Sequence, residues 1–258
     1  MRVTLEGLGK TYPTKDGGSF VALENVSLDI KSGEFVAVIG VSGCGKSTLL
    51  ELVAGLQHPT SGTMKFDDVP HSGPHPRVSV VFQEDSTFPW RTVAGNIGFG
   101  LSMRGVDSKT RDARVEQMVD MVGLRGFEHH YPHQLSGGMR QRVAIGRTLV
   151  LDPGLLLMDE PFGALDEQTR FVLGEELLRI WRESGCTILF VTHSLHEAVQ
   201  LADRIIVLTP KPGRVARVIE NDLARPRRES SEPERYGRMI GTLRELLGFD
   251  EARAGTRV

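Results

Sequence analysis

Apolar and polar residues alternate over the first forty positions of the chain, in the rhythm that strands produce. The stretches FVALENVSLDI and GEFVAVIG carry this alternation, and TKDGGS and KSG have the composition of turns. At GVSGCGKST the period changes, because from Lys46 onward Leu49, Leu50 and Val53 recur at helical spacing until Gly55. The pattern therefore predicts N-terminal strands and then a strand, a glycine-rich loop and a helix.

The middle of the chain loses the alternation after one more strand, RVSVVFQ. Residues from about 85 to 150 are predicted to form a helical insertion, in which Ser108 caps a helix. The apolar positions of that helix recur at i, i+3, i+4 and i+7, and they are Val115, Met118, Val119 and Val122.

After the insertion the chain returns to a β-α-β rhythm. Its segments are GLLLMDE, a helix from about 167 to 184, TILFVTH, a short helix at HEAVQLAD, and RIIVLTP. Strands this apolar are typical of a buried parallel sheet, so the pattern predicts an α/β fold.

The C-terminal region is polar and contains prolines, and it is predicted to lie outside the main domain. We expect the domain at residues 1–220 and the tail at 221–258, with one short helix at MIGTLRELL. Within the tail, RPRRES has the composition of a solvated turn.

The composition is that of an ordinary globular protein. Among 258 residues, 31 Lys and Arg against 33 Asp and Glu give a formal net charge of -2, so no overall basic field favours nucleic acid. Two cysteines argue against a disulfide framework and suit a reducing compartment. The start has no signal-peptide core, and the longest apolar runs fall short of the roughly 18 residues that span a bilayer. We expect a soluble protein that can dock on a membrane protein.

The stretch GVSGCGKS has the spacing G-x-x-x-x-G-K-[ST] of a nucleotide-phosphate loop. Glycines let backbone N–H groups face phosphate oxygens, Lys46 supplies a mobile positive charge, and Ser47 offers a hydroxyl to Mg²⁺. A glycine-rich turn without a ligand is the alternative, but a strand and a helix flank the motif as a phosphate loop requires. The predicted binding residues are Gly40, Ser42, Gly43, Cys44, Gly45, Lys46, Ser47 and Thr48, with Cys44 only a small residue inside the loop.

Polar residues end three further predicted strands. Asp159 and Glu160 follow LLLM, and the carboxyl ends of strands are where open α/β sheets bind ligands. We predict that Asp159 binds Mg²⁺, directly or through water, and that Glu160 accepts a proton from the water attacking a γ-phosphate. Gln83 is predicted to reach Mg²⁺ or that water, and His193 to hydrogen-bond the γ-phosphate. Taken alone, a surface Gln and a structural His are the ordinary alternatives.

Together with LSGGMRQR, these motifs resemble the ATP-binding subunit of an ABC transporter over about residues 1–220. The matching motifs are GVSGCGKST as Walker A, Gln83 as the Q-loop, LSGGMRQRVAIGR as the signature, LLLMDEP as Walker B, ALD with Asp166 as the D-loop, and His193 as the switch histidine. The resemblance implies a P-loop NTPase core with a mostly parallel sheet, an N-terminal antiparallel β subdomain and an inserted α-helical subdomain. It also implies an ATPase that uses ATP and Mg²⁺.

The signature implies a second copy of the chain as a partner. In this family the signature loop covers the ATP held by the Walker A loop of the partner in a head-to-tail dimer. Ser136 can cap a helix beginning near Gly137, while Gly137 and Gly138 are expected to be small because the partner's ligand must fit there. The resemblance further suggests Tyr12 as the aromatic that stacks on adenine, with Phe20 as a nearby alternative.

The stretches FQEDSTFPWRTVAGNIGFGL, MDEPFGALDEQTR and LTPKPGRV look like the nitrate, sulfonate and taurine importer group. This resemblance implies permease subunits as partners, a solute-binding protein as an indirect partner, no nucleic acid, and a peripheral position on the cytoplasmic face of the inner membrane. Phe88 and Trp90 are predicted to line a groove that receives a permease helix, with burial inside the helical insertion as the alternative. An exporter subunit and a soluble ABC-type ATPase acting on nucleic acid or the ribosome are the alternative functions.

Overall fold

The computed structural model describes residues 1–83 and 86–248. These residues form two compact units. Unit 1 comprises Met1–Pro74 with the described part of Leu189–Val258, and unit 2 comprises His75–Ile188. The stretch that begins FQED and the predicted tail each include positions outside the described residues, at 84–85 and 249–258.

The predicted strands and helices are present in order among the described residues, and three further strands, at Ser61–Phe66, Val69–Pro70 and Val215–Glu220, were not predicted. The strands are β1 Val3–Pro13, β2 Ser19–Ile30, β3 Phe35–Ile39, β4 Ser61–Phe66, β5 Val69–Pro70, β6 Val78–Val81, β7 Leu155–Asp159, β8 Thr187–Val191, β9 Arg204–Leu208 and β10 Val215–Glu220. The helices are α1 Lys46–Val53, α2 Val93–Ile97, α3 Phe99–Met103, α4 Ser108–Met121, α5 Gly137–Leu149, α6 Glu167–Ser184, α7 Leu195–Leu201 and α8 Pro233–Leu246, and a 3₁₀ turn covers Pro132–Gln134. Among the described residues, no helix is both long and apolar enough to cross a membrane.

An antiparallel sheet with the strand order β2-β1-β4-β5 lies in unit 1. On β1, Val3 is opposite Ile30 of β2 and Phe66 of β4, and all three side chains are buried. Alternate residues of these strands therefore face the core, which confirms the N-terminal antiparallel subdomain.

A second group of strands in unit 1 carries the loops of interest. Strand β3 is buried at all five positions and pairs in parallel with β9, which pairs in an antiparallel manner with β10. Helix α7 packs on β3, and α8 packs on α7. Burial on both faces explains why FVAVI is continuously apolar instead of alternating.

In unit 2, β6 and β7 pair in parallel, from Val78 opposite Leu155 to Val81 opposite Met158. Helices α2 to α5 occupy the segment predicted to be helical, and the predicted domain bounds themselves stay a prediction.

The cap of α4 differs from the prediction by one residue. The N-cap is Asp107, whose carboxylate accepts a hydrogen bond from the Thr110 N–H at 3.0 Å, and Ser108 is the first helical residue. Both residue types cap helices well, so the composition of the segment could not distinguish them. The expectation that Ser108 is the cap was therefore wrong.

The expectation that RPRRES is a solvated turn is also wrong, because Arg227 is buried in unit 1 and Arg225 is half-buried there. The side chain of Arg227 is 5% exposed, and Arg225 and Arg227 both donate to the carboxylate of Asp203. Arg227 also donates to the carbonyl oxygens of Ala202, Leu223 and Asn221, at 2.7, 2.9 and 3.0 Å. The segment folds back onto the C-terminal end of α7, where helix carbonyls need donors.

Candidate functional site

The loop at 40–47 joins β3 to α1 in unit 1. Gly45 is the N-cap of α1 and has a φ of 99°, in the left-handed region. A Cβ at this position would lie 2.7 Å from Leu23 Cδ2 and 2.9 Å from the Ala22 carbonyl oxygen. Glycine is therefore required here both by conformation and by space. Helix α1 begins directly at Lys46, so its first N–H groups belong to the loop.

Lys46 is almost fully buried, and its side chain folds back on the loop. Its Nζ donates to the carbonyl oxygens of Gly40 at 2.9 Å and Val41 at 3.3 Å. The thiol of Cys44 is buried, and burial raises its pKa, so the thiol stays neutral. This burial supports a space-filling role for the Cys44 side chain. Ser42, Gly43 and Ser47 are exposed on the loop.

His193 is an exposed residue directly after β8, also in unit 1. The residue before it, Thr192, donates its N–H to the Val38 carbonyl oxygen on β3 at 3.1 Å. The Thr192 hydroxyl donates to the buried carboxylate of Glu197 at 2.5 Å, and Ser194 caps α7. His193 therefore lies at the carboxyl end of a strand beside β3, which leads into the loop at 40–47, and the residues around it are held in place.

Tyr12 and Phe20, the two candidates for adenine stacking, lie directly opposite each other on β1 and β2. Each ring carries a lysine ammonium, with Lys10 Nζ 5.0 Å from the Tyr12 centroid and Lys211 Nζ 5.1 Å from the Phe20 centroid. Phe20 is 36% exposed and Tyr12 is half-buried. Neither residue is buried, so the choice between them stays a prediction.

Asp159 and Glu160 follow one another at the end of β7 in unit 2. Asp159 is half-buried, and Glu160 has a φ of 43°, a left-handed conformation that is uncommon for a side chain of this size. The Gly163 N–H donates to the Glu160 carbonyl oxygen at 3.0 Å and closes a turn. Gln83 borders this turn, because its Nε2 is 3.7 Å from the position of a Cβ on Gly163. Gln83 thus lies beside the strained turn that begins at Glu160.

Helix α5 begins with the signature residues. Its N-cap is Ser136, whose hydroxyl accepts from the Met139 N–H at 3.3 Å, and this confirms the predicted cap. Ser136 is exposed, and Gly137 and Gly138 are half-exposed. The N–H groups at this helix end are therefore accessible to an anion.

The signature glycines are also restricted from within unit 2. A Cβ on Gly137 would lie 3.2 Å from Leu165 Cδ2, and a Cβ on Gly138 would lie 3.2 Å from Thr169 Cγ2. Packing against the segment before α6 and against α6 itself thus adds a second reason for small residues, which the sequence alone did not indicate.

Asp166 caps α6 in unit 2, where its carboxylate accepts from the Thr169 hydroxyl at 2.7 Å and from the Thr169 N–H at 2.9 Å. These hydrogen bonds lower the pKa of the Asp166 carboxyl, and the bond from the Thr169 hydroxyl contributes most. The Asp166 side chain is therefore ionised at neutral pH. A cavity of about 560 Å³ in the same unit is lined by Gln83, Gly137 and Leu165 among others. The structure thereby brings the Q-loop and the signature of one chain to a common cavity.

The predicted residues fall into two sets. Unit 1 holds Tyr12, the loop at 40–47 with Thr48, and His193, and unit 2 holds Gln83, Ser136, Gly137, Gly138, Asp159, Glu160 and Asp166. Sequence reasoning missed two residues in unit 1. Glu197 is a buried carboxylate four residues after His193, and Lys211 contacts the glycine loop from the β9–β10 hairpin. A polar residue among the apolar positions of α7 is a sequence feature that could have pointed to Glu197. No feature of the sequence around Lys211 points to its contact with the loop.

Comparison with known proteins identifies the family. The family model described as ABC transporter matches residues 23–163, which is more than half of the chain. The chain belongs to the ABC transporter family. It is 49% identical over 213 residues to the taurine import ATP-binding protein of Yersinia pestis, covering 83% of this chain and 82% of that one. It is 46% identical over 232 residues to the aliphatic sulfonates import ATP-binding protein of Bacillus thuringiensis, covering 90% of this chain and 91% of that one.

Solved structures agree with this assignment. A bacterial ABC transporter cassette in dimeric form has a TM-score of 0.75 at 33% identity, covering 86% of this chain and 100% of that one. The same cassette in a post-hydrolysis state with ADP and Pi has a TM-score of 0.74 at 33% identity, with the same coverage. The present chain is thus an ABC cassette with the P-loop NTPase fold, and it is an ATP-binding ATPase.

Proposed function

We propose that this ABC cassette hydrolyses ATP to drive the import of a small solute, of the sulfonate, taurine or nitrate type, through a membrane permease. The observation that carries the proposal is its similarity, over most of its length, to ATP-binding proteins of taurine and aliphatic sulfonate import. A separate solute-binding protein and the permease select the solute, so this chain serves as the motor of the system.

The loop at 40–47 binds the phosphates of ATP. Lys46 exchanges the neutral carbonyl oxygens of Gly40 and Val41 for anionic phosphate oxygens, which are stronger acceptors for an ammonium. The exposed positions Ser42 and Gly43 give the ligand access to the loop backbone. His193 hydrogen-bonds the γ-phosphate, and the Thr192 and Glu197 contacts keep its backbone in place.

Three of the predicted residues carry side chains of the types that bind a magnesium ion. Ser47 contributes an exposed hydroxyl, Asp159 a half-buried carboxylate, and Gln83 an exposed amide oxygen, and Mg²⁺ prefers oxygen ligands of these types. When bound with ATP, Mg²⁺ neutralises part of the phosphate charge. Ser47 is a proposed ligand of the ion, Asp159 is proposed to bind it directly or through water, and Gln83 is proposed to reach either the ion or the attacking water.

Glu160 is the proposed general base. Its backbone is fixed in the left-handed conformation by the turn that Gly163 closes, so the direction of its side chain is restricted. A carboxylate held in this way takes the proton from the attacking water as the bond to the γ-phosphate forms. Gln83, at the same turn, orients that water.

The working form is a head-to-tail dimer. The N-terminal end of α5 offers the Ser136 hydroxyl and the backbone N–H groups of Gly137 and Gly138, and all three residues are accessible at the surface of the chain. A helix N-terminus favours an anion, and the anion proposed here is the γ-phosphate of ATP held by the partner chain. Asp166 stands in the neighbouring D-loop.

The surface around Phe88 and Trp90 is the proposed permease contact. Trp90 is 71% exposed, which does not fit burial inside the helical segment. The Phe88 ring contacts Trp90 in a tilted arrangement and Phe99 edge to face, at centroid distances of 5.5 and 4.7 Å. Phe99 in turn lines a cavity of about 550 Å³ in unit 2. An exposed aromatic beside an amphipathic cavity suits one helix of a membrane partner. The chain would then be peripheral on the cytoplasmic face of the inner membrane.

The decisive experiment separates the general base from nearby carboxylates. Glu160→Gln should retain ATP binding and lower turnover by about 100-fold or more, because the amide cannot accept the proton. Glu167→Gln, which removes an exposed carboxylate of α6 in the same unit, is the matched control and should hydrolyse ATP normally. Near-normal steady-state hydrolysis by Glu160→Gln would reject the assignment. Copurification of an integral membrane permease and a solute-binding protein tests the importer role.

A further inference from the structure

The hairpin between β9 and β10 is fastened beside the phosphate loop in unit 1. The Gly213 N–H donates to the Ala22 carbonyl oxygen at 3.0 Å, and the Glu24 N–H donates to the Gly213 carbonyl oxygen at 2.9 Å. A Cβ on Gly213 would lie 2.0 Å from the carbonyl oxygen of Cys44, so only glycine permits this approach. The hairpin is therefore held directly against the loop at 40–47.

This placement puts the side chain of Lys211 on the phosphate loop. Its Cε and Nζ lie 3.0 and 3.4 Å from the position that a Cβ on Gly43 would occupy. The same ammonium lies 5.1 Å from the centroid of Phe20. Within residues 1–83 and 86–248, no carboxylate forms an ion pair with Lys211. Its positive charge is thus uncompensated by any described acidic side chain and stands between an exposed aromatic ring and an exposed glycine of the loop.

We infer that Lys211 is a second cation of the nucleotide site, which binds the phosphate chain of ATP together with Lys46. The inference rests on the assignment of the loop at 40–47 as the phosphate site. Lys46 projects from the start of α1 and donates to the loop carbonyl oxygens of Gly40 and Val41. Lys211 projects from the hairpin and lies beside Gly43 of the same loop. Two ammonium groups approach the same loop from separate elements, and a polyanion is the ligand that such a pair favours.

A purely structural role for Lys211 is the competing explanation, since a lysine stem can simply cover an aromatic ring. The two explanations differ in what they require of the charge. Packing of the aliphatic stem on Phe20 is preserved in Lys211→Met, and loss of the contact between the ammonium and that ring would change the affinities for ATP and adenosine alike. Binding of phosphate needs the cation, which Lys211→Arg preserves.

The test is the affinity for ATP and for adenosine, measured by displacement of a fluorescent ATP analogue at low and high salt. Lys211→Met should weaken ATP binding about 10-fold and reduce its salt dependence, because one charge-assisted contact is lost. Lys211→Arg should restore the ATP affinity to within about threefold of the wild type, and adenosine affinity should be unchanged in both variants.

Two controls interpret the outcome. Arg214→Met removes another cation from the same hairpin, but Arg214 pairs with Glu24 at 2.7 Å and should not affect ATP affinity. Wild-type ATP affinity in Lys211→Met, or an equal loss for ATP and adenosine, would overturn the inference. Lys46→Ala in the same assay tests whether the loop at 40–47 is the phosphate site. If Lys46→Ala leaves the ATP affinity unchanged, the assignment of that loop is wrong, whatever the result for Lys211.

Discussion

Arg227 provides the most direct test of the folded tail. Its guanidinium is buried against the end of α7, and burial lowers its pKa to about 10. An ionised group in such a place is held only if its hydrogen bonds outweigh the loss of hydration. We predict that Arg227→Met destabilises the protein, because the methionine stem fits but donates nothing.

The size of the effect follows from the acceptors that lose a donor. The Ala202 carbonyl oxygen keeps a hydrogen bond from Asn221 Nδ2 at 2.9 Å, and the Asp203 carboxylate keeps the hydrogen bond from the Arg225 guanidinium. The carbonyl oxygens of Leu223 and Asn221, both in buried residues, lose the donor that Arg227 supplied. At about 1 to 3 kcal/mol for each orphaned group, reduced by the relief of the buried charge, the net loss is about 2 to 3 kcal/mol. For a chain of this size that lowers Tm by about 4 to 6 °C.

Thermal denaturation followed by circular dichroism measures this loss. Arg228→Met is the matched control, because Arg228 is the adjacent arginine and its side chain is exposed. Its Tm should stay within about 1 °C of the wild type, as surface substitutions usually do. Equal melting of the two variants would refute the claim that the Arg227 hydrogen bonds hold the tail on α7.

Two further predictions concern the partners. Trp90→Ala should reduce copurification of the permease and ATP-driven transport while basal hydrolysis and Tm persist, because the ring is exposed; a collapse of hydrolysis and Tm together would instead indicate burial. In mixed dimers of Lys46→Ala and Gly137→Asp chains, the head-to-tail arrangement leaves one intact site, so about one nucleotide should be trapped per mixed dimer and almost none in either mutant homodimer. Absence of trapping in the mixture, beside a wild-type control that traps, would count against a shared site.

The mixed-dimer test needs one more control because of the contacts inside unit 2. A side chain at Gly137 would press on Leu165 of its own chain as well as face a partner's ATP. Gly137→Ala adds only the Cβ, which is 3.2 Å from Leu165 Cδ2, and it separates this packing effect from charge repulsion by aspartate.

Short-range features were determined by the sequence itself. The glycine at position 45, the cap at Ser136 and the helix over about 167 to 184 depend on a few neighbouring residues, and backbone sterics and helix capping act over that range. The apolar run FVAVI likewise predicted a strand buried on both faces, as β3 is. The motifs then sufficed to predict the family, because each consists of consecutive residues.

Contacts between residues far apart in the sequence depend on how the strands and helices pack. Lys211 reaches Gly43 because the β9–β10 hairpin is fastened to β2, and no pattern near either residue encodes that contact. RPRRES has the composition of a solvated turn, yet Arg227 is buried because the carbonyl groups at the end of α7 lack helix partners and accept its N–H groups. A charged side chain is placed by the donors and acceptors that the fold leaves unpaired, and these are defined only once the helices and strands have packed.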